Sequence, residues 1–290
     1  PPAVSANAED STPTELILWD LQTGNLLNRV EILSFVQESF VENLGQDVVD
    51  LQIEQAGLAF LQDRIQDMRF SDDGQTALIA TGLTVIRWDV VNWELIDFTL
   101  YDSNAFHADI HPTEDTIYYA DVITSDRTTT DIYELDVISG AQQVIASVPG
   151  QVWFITTSAE DIALGLGNGD VVLLDRNTLT EKSRWSEHTD TILSMAFNPS
   201  ETWLISASNR EVIVWDITSG ALLNREPLDT FFDGEIVFTA DGQSVVWGAS
   251  SGQIVIRDAE TFEIEQRLLG HTLPATVMAF THDEAQLISA

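Results

Sequence analysis

A nine-residue stretch, Val212–Gly220, reads VIVWDITSG, and its pattern returns along the whole chain. Residues of strand-forming type run into an Asp, and a short turn follows that ends in Gly. LILWD ends at Asp20, VIRWD at Asp89, IYELD at Asp136, VVLLD at Asp175 and IVIRD at Asp258. Counting Asp216 among them, successive Asp residues stand 69, 47, 39, 41 and 42 positions apart. In VIVWD, Ile213 and Trp215 fall on one side of the strand and Val212 and Val214 on the other. Both sides are apolar, so the strand is expected between two neighbours instead of half in water.

A period of about 40–45 residues with four short strands is the signature of a propeller blade. These residues resemble the WD-repeat β-propeller family over nearly the whole chain. The resemblance implies an all-β fold of four-stranded blades in a single domain spanning 1–290. In that family a His before the inner strand, a Ser or Thr in the second strand and the Trp of the third hydrogen-bond within a blade, usually with an Asp. His188, Ser206 and Trp215 match this set. The Asp has no match, because the turn SNRE offers Asn209 and is one residue short. His271 and Ser289 repeat the first pair 83 residues later, and Trp19 becomes their third member if the two ends meet. Leu135, Leu174 and Arg257 stand where a Trp is expected.

The ends read as partial blades. AVSA at Ala3–Ala6 matches LISA at Leu204–Ala207 and at Leu287–Ala290, so the chain reads as a fragment that opens and closes inside second strands. Alternatively, VSANA is the remnant of a small-x-small secretory cleavage site, which leans the location toward exported or cell-surface. The Ser5-to-Ser289 distance, less one insert, divides into six steps of about 43 residues. Seven blades are therefore expected of the full-length protein, with six-bladed closure of this chain as the alternative. The insert lies within Ile32–Asp63, about 27 residues beyond one repeat. Ile32, Phe35, Val36, Phe40 and Leu44 give it a partly helical spacing.

Composition narrows the function. With 47 acidic and 12 basic residues the formal charge is −35, a surface that repels phosphate backbones and excludes nucleic acid. That charge suits either solubility in a salty medium or attraction to basic protein partners. The absence of Cys removes disulfides, thiolate metal sites and Cys nucleophiles, and no window has the roughly 18 consecutive apolar residues of a membrane span.

Few residues suggest chemistry. A Ser–His pair can serve acyl transfer, but only with an exposed Ser and an oxyanion site, and Ser206 lies mid-strand. His107, Asp109 and His111 alternate along one strand, which spreads the outer pair over about 13 Å and leaves no shared metal. No cofactor is implied, and Trp153, Trp203 and Trp247 read as packing between blades. The expected function is a non-catalytic protein-interaction platform. The alternative is a propeller enzyme or small-ligand binder that uses the central channel, starting from His107 and Asp109. For the platform, alignment of the inner strands puts Asp63, Ser103, Val148, Asp190, Phe231 and Leu273 on the face carrying the loops that join blades.

Overall fold

The computed structural model describes residues 15–20, 25–31, 65–71, 75–82, 84–92, 94–101, 105–121, 128–228, 232–249, 252–271, 278–280 and 286–289. It opens with β1 (Glu15–Asp20) and β2 (Asn25–Glu31). Five blades of four strands follow, each made from one run of chain. The first comprises β3 (Ile65–Phe70), β4 (Thr76–Thr81), β5 (Thr84–Asp89) and β6 (Glu94–Leu100). The second comprises β7 (Ala105–Ile110), β8 (Thr116–Asp121), β9 (Thr129–Asp136) and β10 (Gln142–Pro149). The third comprises β11 (Val152–Thr157), β12 (Asp161–Leu166), β13 (Val171–Asp175) and β14 (Glu181–Trp185). The fourth comprises β15 (Ile192–Phe197), β16 (Trp203–Ser208), β17 (Glu211–Asp216) and β18 (Leu222–Pro227). The fifth comprises β19 (Phe232–Phe238), β20 (Ser244–Ala249), β21 (Gln253–Asp258) and β22 (Ile264–Leu269).

The ends of the chain supply one more sheet. The last strands, β23 (Met278–Phe280) and β24 (Gln286–Ser289), return to β1 and form a sheet in the order β2-β1-β24-β23. Among the described residues there are thus five continuous blades and one closing sheet shared by both ends, not the seven blades expected of the full-length protein. Pairing of β1 with β24 satisfies two strand edges that would otherwise be left open. No described residue is helical; the partly helical insert expected within 32–63 and the AVSA segment lie outside the described residues.

Every blade is antiparallel, and burial falls from the middle strands outward. All six residues of β12 are buried, whereas β22 buries only Leu268. The two apolar sides of β17 serve different neighbours. Ile213 and Trp215 pack with Val171, Leu173 and Trp185 of the third blade. Val212 and Val214 pack with Phe232, Val245 and Trp247 of the fifth. The core is therefore a series of seams between blades, and a strand apolar on both faces is what such a seam requires.

The repeated Asp has a local task. Asp136, Asp175, Asp216 and Asp258 each accept the backbone N–H of the residue three positions on, at 2.7–2.8 Å, and that residue's hydroxyl as well. This closes the turn into the outer strand. The residue after that one takes a positive φ: Gly140 and Gly220, both at 70°, but also Leu179 at 57° and Phe262 at 59°. Between second and third strands, the Asn168–Gly169 hairpin needs its glycine, because a Cβ on Gly169 would stand 2.6 Å from the His188 carbonyl oxygen.

Candidate functional site

The His–Ser–Trp set assembles within the fourth blade. Trp215 Nε1–H donates to Ser206 Oγ at 2.8 Å, and Ser206 Oγ lies 2.7 Å from His188 Nε2. With Ser206 Oγ accepting from Trp215, its own hydroxyl proton goes to Nε2 and the imidazole proton sits on Nδ1. There it faces Glu211 Oε1 at 3.6 Å. Glu211, the first residue of β17, is thus the acidic neighbour that the short SNRE turn cannot provide. Burial, and then the charge of Arg225, depress the His188 pKa to about 4, so the ring is neutral near pH 7. Ser206 is wholly buried, which removes it from any substrate.

The closing sheet repeats the pair. His271 Nε2 lies 2.8 Å from Ser289 Oγ. Trp19 stands opposite Leu287 and Ile17 opposite Ser289, the same register that sets Trp215 opposite Leu204 and Ile213 opposite Ser206. Arg257, at a Trp position, instead lays its guanidinium 4.8 Å over the Trp247 ring.

The inner strands are joined around the channel by side chains that capture backbone N–H groups of the next blade. Asp67 accepts from Ile110 N–H at 2.6 Å, Asp109 from Thr157 at 2.9 Å, Ser194 from Ile236 at 2.9 Å and Glu235 from Met278 at 3.4 Å. An inner edge strand carries backbone donors with no sheet partner, and these contacts satisfy them. The arrangement brings carboxylates from three blades within electrostatic reach of one another. Burial first, and then mutual repulsion, raise Asp109 and Glu235 well above the usual carboxylate range. Asp67 is raised to about 6, chiefly by burial, against the lowering effect of its hydrogen bonds and of Arg69.

The residues His107, Asp109 and His111 all face the third blade. His107 stacks on Phe154 at 3.8 Å between ring centroids, Asp109 holds Thr157, and His111 Nδ1 accepts the Glu114 N–H at 3.1 Å. Burial, followed by the Arg176 charge, lowers the His111 pKa. Each side chain is thus committed to packing or to a seam.

Of the six residues expected on the loop face, Asp63, Ser103, Phe231 and Leu273 lie outside the described residues. Asp190 is in place between β14 and β15, its side chain 37% exposed and 3.9 Å from Arg210 Nε. Val148 differs from expectation. The outer strand β10 runs eight residues and carries Val148 opposite Thr130, buried against Val152 and Ile155, so it contributes packing and little surface.

A family model described as "WD domain, G-beta repeat" matches residues 179–216. The match contains His188, Ser206 and Trp215, the hydrogen-bonded set of the fourth blade. The fold is a WD-repeat β-propeller. The matched segment runs from the outer strand of the third blade through three strands of the fourth, so this sequence repeat straddles a blade boundary and ties one blade to the next. Among solved structures, a chain from the crystal structure of a mitotic checkpoint complex shares the propeller's architecture. Its TM-score is 0.60 at 13% identity, over 79% of this chain and 72% of that one. No helix among the propeller's described residues is long and apolar enough to cross a membrane.

Proposed function

We propose that this propeller is a non-catalytic protein-interaction platform. The observation that carries this reading is the use to which its polar side chains are put. Ser206, His188, Asp67 and Asp109 are all spent on hydrogen bonds within or between blades, which favours a rigid support over a reacting site. Protein partners, basic ones in particular, suit a chain of charge −35. Asp190 stands in this reading for the contact arc, to which the sequence alignment also assigns Asp63, Ser103, Phe231 and Leu273.

Carboxylate-reactive cross-linking of the protein with its cellular partners, read by mass spectrometry, tests the platform. Cross-links to discrete protein partners are expected, with those at Asp190 and Asp63 among them. Saturable turnover of a small molecule that is lost in Asp109→Asn would overturn it and favour the channel enzyme.

A further inference from the structure

The repeat supplies its own standard of comparison, because equivalent places in different blades can be read against each other. Two such places on the outer rim change character together. The first lies in the turn between third and fourth strands, two residues after the repeated Asp. Four repeats carry Gln22, Asn177, Thr218 and Glu260 there, all polar. The first and second blades carry Val91 and Ile138, 67% and 68% exposed. The second place lies on the outer strand, opposite the residue three before the Asp. The closing sheet and the third, fourth and fifth blades put Arg29, Arg184, Arg225 and Arg267 there. The first and second blades instead put Phe98 and Val144 there.

The exchange from polar to apolar thus affects the same two adjacent blades at both places. Val144 is half exposed, as is the neighbouring rim residue Ile96. The two blades meet at this rim, since a Cβ on Gly140 in the Ile138 turn would lie 3.8 Å from Thr99 of β6. The four apolar side chains Val91, Ile96, Ile138 and Val144 therefore belong to one sector. Antiparallel order places these turns on the opposite face from the loops that join blades.

The surroundings are acidic. Glu94, Asp97, Glu114, Asp115 and Asp136 are exposed in the same two blades. The described cations there are already engaged: Arg87 with Asp97, and Arg69 with Asp115 and the Pro112 and Glu114 carbonyls. Single exposed apolar residues are ordinary. A coordinated loss of Arg and polar residues in one sector, within an acidic fringe, marks a contact surface.

We infer that the rim of the first and second blades is a second docking surface, for a peptide segment of a partner that presents paired apolar side chains flanked by Lys or Arg. This rests on the platform reading and adds to it a site on the other face.

A random peptide library displayed on phage, selected on the purified chain, is the probe. The comparison protein carries Val91→Thr, Ile138→Asn and Val144→Arg, each a residue that another blade already uses at that place, so the variant should fold; its melting curve checks this. The second variant is Glu94→Lys, whose exposed side chain makes it a charge test independent of the first. Enriched peptides are expected to carry apolar pairs beside Lys or Arg, to lose about tenfold or more in affinity on either variant, and to weaken with salt. Peptides that bind both variants as tightly as the parent chain would overturn the rim site while leaving the platform standing. No enrichment on any surface would overturn both.

Discussion

Replacement of Asp67 by Asn should remove a pH dependence from the propeller's stability. Asp67 is buried between the first two blades, where Oδ1 accepts the Met68 N–H at 2.7 Å and Oδ2 the Ile110 N–H at 2.6 Å. Its pKa rises from 3.8 to about 6, mainly through burial, with Asp109 and Glu235 as the other buried carboxylates of the channel. A raised carboxylate pKa means that the fold prefers the protonated form. Below pH 3.8 the group carries no penalty, and above about pH 6 the full penalty is exerted. At about 1.4 kcal/mol per pKa unit, this change amounts to roughly 3 kcal/mol lost between pH 4 and pH 7. Asn keeps an acceptor for one of the two N–H groups and turns its NH₂ toward the other, at a cost of about 1–3 kcal/mol. That cost does not depend on pH, so the difference between the two proteins reports the titration of Asp67 together with its repulsion of Asp109 and Glu235. Urea unfolding of both proteins across pH 4–8 is the assay. It should be run in about 1 M salt, where a Debye length of about 3 Å screens the surface charge. The parent chain should gain about 3 kcal/mol relative to Asp67→Asn on acidification. Parallel stability curves for the two proteins would refute the buried-carboxylate account of this seam.

Two further substitutions probe the local geometry. Trp215→Phe keeps an aromatic ring against Trp185, now stacked at 5.0 Å, but leaves Ser206 without its donor, and should cost about 1–3 kcal/mol in urea unfolding. Trp215→Ala should cost more, about 3–5 kcal/mol, because it also opens a cavity in the seam with the third blade; a Trp215→Phe variant as stable as the parent would show that the hydrogen bond contributes nothing, and equal losses for the two variants would show that the cavity does not matter. Gly169→Ala should lower the melting temperature, since φ at this residue is 89° and its new Cβ would press on the His188 carbonyl; an unchanged melting temperature would contradict the turn geometry.

The sequence periodicity located the blades because four of the five intervals between the repeated Asp residues lie near one period, and Asp136, Asp175, Asp216 and Asp258 each close the same turn. His188, Ser206 and Trp215 were legible for the same reason. Glu211 was not, because its approach to His188 depends on a longer side chain reaching from the strand where a turn Asp was expected. The seams formed by Asp67, Asp109 and Glu235 join residues more than 40 positions apart, and only the placement of neighbouring blades reveals them. Alternation along β7 did put His107 and Asp109 on one side, but not what they meet there: the Phe154 ring and the Thr157 backbone. Leu179 and Phe262 occupy left-handed positions that glycine fills in two other blades, and residue type alone gives no sign of that. Val148 was misplaced because alignment on apolar residues cannot tell a loop position from the last turn of an eight-residue outer strand.

Ring closure by the two ends of the chain is the claim on which the rest depends, and a disulfide tests it directly. Leu18 and Ile288 stand opposite each other where β1 meets β24, and the chain has no Cys of its own. Mild oxidation of the Leu18→Cys, Ile288→Cys double variant should form one intramolecular bond and stabilise the propeller by about 2–4 kcal/mol. Thiols that stay free in the folded protein, or that pair only between molecules, would contradict the closing sheet.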